Sequence, residues 1–136
     1  MRVREMLSSH PDAGVVNDVL VHCIEACFDC AQACISCADA CLAEENSSPL
    51  ARCIRLDLDC ADACATTGSV LTRRTAASSA LMVQMLETCA DFCRLCADEC
   101  DKHAGHHEHC RICAETCRQC ERACRQAASV SGLTGP

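Results

Sequence analysis

The sequence predicts an all-α protein, an antiparallel up-down-up-down four-helix bundle with a cysteine-lined core, and three observations lead there. Cysteines recur at steps of three and four residues through four separate stretches, a spacing that keeps side chains on one face of an α-helix. The stretches are similar in length and joined by short segments rich in Ser, Thr, Gly, Pro and His, which favours antiparallel neighbours. Eighteen cysteines in 136 residues, with no Trp or Tyr and only two Phe, make sulfur the substitute for aromatic bulk. A chain of this length suits one domain with a continuous core.

Residues 1–12 read as a lead-in, with a helical turn around Val3 to Leu7 stopped by Ser8, Ser9 and Pro11. The bundle is expected over residues 13–128. Its first helix, residues 13–43, carries Cys23, Cys27, Cys30, Cys34, Cys37 and Cys41 at steps of +4, +3, +4, +3 and +4. One or two cysteines would pass as small apolar fillers; six in register point to thiolate chemistry. A neighbouring stripe, Ile24, Phe28, Ala31, Ile35, Ala38 and Leu42, is also apolar, and one core cannot bury both, so a homo-oligomeric interface is expected. Glu25, Asp29, Gln32, Ser36 and Asp39 form the solvated face.

After a loop at residues 44–48, Ser47 or Ser48 is expected to cap a second helix that has Pro49 at its first position and runs to residue 71. It carries Cys53, Cys60 and Cys64. Stepping +4 from Cys53 or −3 from Cys60 lands on Asp57, a carboxylate on a thiol rung. Thr72 to Thr75 is the reversal. The third helix, residues 76–102, carries Cys89, Cys93, Cys96 and Cys100 on a stripe that reaches back through Met85 and Met82 and forward by +3 to His103. The segment HAGHHEH makes the next turn. The fourth helix, residues 106–128, carries Cys110, Cys113, Cys117, Cys120 and Cys124, with His107 at −3 from Cys110. Residues 129–136, SVSGLTGP, read as a disordered tail.

Composition narrows the function. A net charge of −7 and the lack of a basic, aromatic-interleaved patch disfavour nucleic acid and anionic membranes as partners. The N-terminus has no signal-like apolar region, and no segment approaches eighteen uninterrupted apolar residues, so a soluble cytoplasmic protein is expected. In a reducing cytoplasm, many cysteines mean metal or redox chemistry rather than disulfides. No catalytic site is expected: eighteen near-equivalent thiols offer no nucleophile with a dedicated base and pocket.

Soft thiolates suit Cu(I), zinc and iron–sulfur clusters. The ferredoxin run C-x2-C-x2-C-x3-C does not occur here. Zinc has the C-x2-C pairs and the His103/His107 spacing in its favour, but each four-thiolate site would carry a net charge of about −2, and a stack of them would repel strongly. With Cu(I), each ion displaces one thiol proton and the interior stays neutral, so eighteen rungs imply on the order of eighteen ions under thiolate bridging. A zinc store or thiol-rich redox buffer is the alternative.

In CIEACFDCAQACISC, CADAC, CADFCRLCADEC and CRICAETCRQCERAC, set in that order on four predicted helices over about residues 15–127, the chain resembles the bacterial copper storage proteins, specifically their cytosolic branch. The resemblance implies a four-helix bundle that associates as a homotetramer and fills its core with multiple Cu(I) ions bound to the eighteen cysteines. A copper chaperone or a low-molecular-weight thiol is the candidate donor. Beyond the thiols, His103 and His107 are candidate ligands on the stripe, through which Cu(I) is expected to be admitted, whereas His106 and His109 read as loop surface. Met82 and Met85 read as core fillers, and His22 lies one residue off the stripe. Asp57 is expected either to pair with a nearby Arg or to accept hydrogen bonds or protons from thiols, its charge favouring the first Cu(I).

Overall fold

The computed structural model describes residues 1–130. A short helix α1 (Val3–Ser8) precedes four long ones, α2 (Asp18–Ala43), α3 (Ala51–Thr72), α4 (Ser79–Asp101) and α5 (Glu108–Ala128). No strand occurs among the described residues. The long helices pack in a ring, α2 on α3, α3 on α4, α4 on α5 and α5 back on α2, as the short connections require of an antiparallel bundle. The tail segment from residue 131 onward lies outside the described residues.

Local chemistry sets the helix ends, and it moves several of them from the positions expected from spacing. The first long helix begins at Asp18, not at residue 13, because the Asn17 side chain caps it by accepting the Val19 N–H at 2.8 Å. Gly14 upstream takes a positive φ of 56°, which is incompatible with helix. Pro49 opens a 3₁₀ turn (Ser48–Leu50) instead of the α-helix, and neither candidate serine caps it with its side chain. The buried Leu50 anchors that turn, and α3 follows from Ala51. The third long helix starts at Ser79, three residues late, since Ser78 supplies the cap to the Leu81 N–H and Ala76 sits at φ 56°. The fourth starts at Glu108 rather than 106, with His107 in extended backbone before it.

The core is the sulfur column plus small residues and a plug. None of the eighteen cysteines is more than 1 % exposed, and all are free thiols. Ala31, Ala61, Ala90, Ala97, Ala114 and Ala123 fill space between the stripes. At the end where α2 and α4 start, Leu20, Leu71, Met82 and Leu86 are buried, so Met82 is a core filler as expected. By length and composition α2 could cross a bilayer, but half of its most apolar window is buried within the bundle. On its second apolar stripe Ile24, Ala31 and Ala38 are buried, whereas Ile35 and Leu42 stay 55 % and 62 % exposed. Gly68 in α3 lets the Phe28 ring approach: a Cβ there would lie 3.0 Å from Phe28 Cε2.

Candidate metal centre

Spacing of three and four residues turns each stripe inward, and the four stripes interdigitate into one continuous column of sulfur. At the plugged end, Cys23 Sγ lies 3.9 Å from Cys124 Sγ, which is 3.8 Å from Cys27. Cys120 and Cys64 (3.8 Å apart) carry the column onward, and Cys64 meets Cys89 at 3.7 Å and Cys93 at 3.6 Å. In the middle, Cys30 and Cys34 stand 3.7 and 3.6 Å from Cys117, and Cys60 reaches Cys30 at 4.0 Å. Cys113 meets Cys34 at 3.7 Å. Toward the histidine-rich end, Cys53 pairs with Cys100 at 3.5 Å, and Cys110 lies 3.9 and 4.0 Å from Cys37 and Cys41.

These sulfurs form overlapping four-ligand sets, with the ligand atoms of each set within 4.8 Å of one another: Cys27, Cys89, Cys120 and Cys124; Cys30, Cys64, Cys93 and Cys120; Cys30, Cys34, Cys60 and Cys117; Cys34, Cys96, Cys113 and Cys117. Successive sets share members: Cys120, then Cys30, then Cys34 and Cys117. Such a chain suits ions joined by bridging thiolates better than isolated sites with private ligands.

Asp57 occupies its thiol rung and is fully buried. Its Oδ1 accepts from Cys96, Cys113 and Cys100 at 3.1, 3.3 and 3.5 Å, and Oδ2 from Cys53 at 3.9 Å. Among the described residues no Arg or Lys pairs with it; Arg55 on the same helix turns outward to Asp59 at 2.9 Å. The arginine-pairing alternative is therefore corrected in favour of thiol contact. Burial, then the charge of Cys113 and Cys96, pushes the Asp57 carboxyl up to about 11. A shift in this direction favours the neutral acid at neutral pH in the copper-free protein, against the expectation of a standing negative charge for the first Cu(I).

The thiols answer to the same two influences. Burial leads in raising Cys41 to about 11 and in pushing Cys110 up. Within the column, contact with neighbouring thiols lowers Cys53, first through Cys100 and then Cys37, and lowers Cys23, first through Cys124.

The histidines are arranged differently from the stripe extrapolation. Because α4 ends at Asp101, His103 leaves the stripe, and its Nε2 meets Glu99 Oε2 at 3.1 Å. Glu99 also gathers Lys102 and Arg52 at 3.2 and 3.3 Å. His107 precedes α5 in extended backbone, and its Nδ1 meets Glu44 Oε2 at 2.6 Å. His109 was expected on the loop surface but is in the first turn of α5, with Nδ1 at 3.5, 3.6 and 3.9 Å from the sulfurs of Cys37, Cys110 and Cys41. Cys37, Cys41, Cys110 and His109 form another four-ligand set. A step of −4 from Cys113 lands on His109, and that is the signal that could have found it. His106 and His22 are exposed.

A thiol-packed antiparallel bundle with overlapping ligand sets defines a class of proteins that hold soft metal ions in bulk. The profile of the copper storage protein family matches residues 16–129, and the chain belongs to that family. It is similar to the copper storage protein of Streptomyces lividans loaded with 10 copper equivalents (48% identity, TM-score 0.88, covering 91% of this chain and 96% of that one). It is likewise similar to a cytosolic copper storage protein from Streptomyces lividans carrying five coppers (51% identity, TM-score 0.79, 80% and 91%). The apo form of copper storage protein 3 from Bacillus subtilis aligns at 40% identity and TM-score 0.68 over 79% and 97%. None of the curated protein sequences matches the chain.

Proposed function

We propose that this chain stores and sequesters many Cu(I) ions in the cytoplasm, bound by the thiolates of its eighteen cysteines, for copper buffering and detoxification. The observation that carries the reading is the sharing of Cys30, Cys34, Cys117 and Cys120 between successive four-sulfur sets. Each bridging thiolate balances one Cu(I), so a filled column stays near neutral and can be packed densely. Zinc is disfavoured by the same sharing, since separate tetrahedral sites need their own thiolates and accumulate negative charge. The copper-loaded relatives support the choice of metal, and the cytosolic one supports the compartment. The chain binds and releases rather than catalyses.

Copper is admitted at the histidine-rich end, with His103 and His107 as weak first contacts and His109 handing ions to Cys37, Cys41 and Cys110. Imidazole is softer than carboxylate yet holds Cu(I) less tightly than thiolate, which suits a transfer point. The exposed Ile35 and Leu42 support a homotetramer, and a copper chaperone or low-molecular-weight thiol is the donor class. Anaerobic competition between Cu(I) and Zn(II), followed by gel filtration and metal analysis, tests the storage reading. Retention of on the order of eighteen copper ions per chain is expected under bridging; preferential retention of a few zinc ions would overturn it.

A further inference from the structure

Glu44 is a carboxylate at the histidine-rich end to which thiol storage assigns no part. It follows α2 directly, in extended backbone (φ −67°, ψ 146°), which carries its side chain across to the start of α5. One oxygen, Oε2, meets both His107 Nδ1 at 2.6 Å and His109 Nε2 at 3.0 Å. The two rings stack, with centroids 5.4 Å apart and planes 28° apart. His109 thus has one nitrogen on Glu44 and the other on the thiols of Cys37, Cys41 and Cys110.

A neutral imidazole carries its proton on one nitrogen and a ligating lone pair on the other. An ionised carboxylate can only accept, so its contact with Nε2 fixes the His109 proton there and leaves the Nδ1 lone pair facing sulfur. Partners of this kind fix the tautomer and ring orientation of metal-ligating histidines.

We propose that Glu44 is a positioning residue for copper at this end of the bundle: it holds His109 with Nε2–H engaged and Nδ1 presented beside Cys37, Cys41 and Cys110. The inference rests on the Cu(I) storage reading. It separates the two stacked rings by role, since His107 uses Nδ1 itself on Glu44 and only His109 turns that nitrogen toward the thiols.

The test compares full-length reduced protein with Glu44→Gln and Glu44→Ala, each given sub-stoichiometric Cu(I) without oxygen. Long-range proton–nitrogen correlation spectra of histidine-labelled protein read which His109 nitrogen is protonated and which shifts on metal binding. Competition with a Cu(I) chelator reads the affinity for the first ions, and circular dichroism checks that each variant is folded. Wild type should show Nε2–H and a copper-shifted Nδ1. Glu44→Ala should lose that pattern and weaken the first ions by about 10–100-fold. Glu44→Gln, which retains an oxygen acceptor, should recover most of both. An Ala variant with wild-type nitrogen shifts and competition overturns the proposal, as does a Gln variant no better than Ala. A wild-type chain that loads copper without moving Nδ1 overturns this role alone, whereas one that takes up no Cu(I) overturns the storage reading as well.

Discussion

Asp57→Asn keeps the shape of the side chain and an oxygen for the Cys96, Cys113 and Cys100 thiols while removing its titration. In the folded protein the carboxyl is pushed from its ordinary 3.8 up to about 11, chiefly by burial. Below pH 3.8 both folded and unfolded chains hold the proton, and the residue contributes its full stability. As pH rises from there toward the folded value, the unfolded chain ionises and the folded one does not, so stability falls by about 1.4 kcal/mol per pH unit. At pH 7 the accumulated cost is about 4 kcal/mol, a large fraction of the stability of an ordinary domain.

The Asn variant escapes that cost. Reduced, copper-free protein unfolded by urea at a series of pH values should show the variant more stable than wild type at pH 7. Between pH 5 and pH 8 the gap should widen by about 4 kcal/mol, because the imidazoles and the thiols remote from Asp57 titrate alike in both proteins and cancel in the difference. A melt at pH 7 should rise by roughly 10 °C. A gap that is constant with pH, or a variant less stable than wild type at neutral pH, would show that Asp57 is ionised in the folded state and refute the reasoning.

Three further outcomes follow from the same structure. Copper-free protein should already be helical by far-ultraviolet circular dichroism, because Leu, Ile, Ala and protonated thiols bury without metal, and Cu(I) should then raise the melting temperature; an unfolded apo chain would place it with metal-folded domains. Loading in weak buffer with a pH indicator should release about one proton per Cu(I), and a plateau far below that would mean thiols already ionised. Replacing His103 and His107 together with Ala should slow uptake and chelator extraction in stopped-flow absorbance, while the plateau falls by no more than about two ions, since no thiol is lost; unchanged kinetics would assign both to the surface.

Much of the fold was legible because the cysteines mark the inner face of each helix directly, and a spacing of three and four admits no other regular structure. The ends were less legible, since a single side chain decides them: Asn17 captures the Val19 N–H and moves the start of α2 to Asp18. At the site, Asp57 could be placed on its rung by counting, but its protonation state depends on three helices converging on one carboxyl. The histidines show where counting fails. Extending a stripe past Asp101 or before Glu108 assumes helix that is not there, so His103 and His107 turn to Glu99 and Glu44. His109, inside α5, keeps the helical register and reaches the thiols.

The closed walls of the bundle constrain how a store of this kind could fill. Every cysteine is sealed from solvent, so on the storage reading ions cannot reach the inner sulfurs from the side and must travel along the axis. The end bearing Cys23 and Cys124 is stoppered by Leu20, Leu71, Met82 and Leu86, and opening it would expose apolar surface at about 25 cal/mol per Å². At the other end Leu50 is also buried, but the polar His103, His107 and His109 are only partly so, and His109 stands beside Cys37, Cys41 and Cys110. Sulfurs no more than 4.0 Å apart link Cys41 through Cys110 to Cys37, so an ion can bind the next thiolate before leaving the last. Filling should therefore run from Cys41 and Cys110 toward Cys23 and Cys124, and emptying should run back the same way. The deepest ions would then be the slowest to be withdrawn, whatever their affinity.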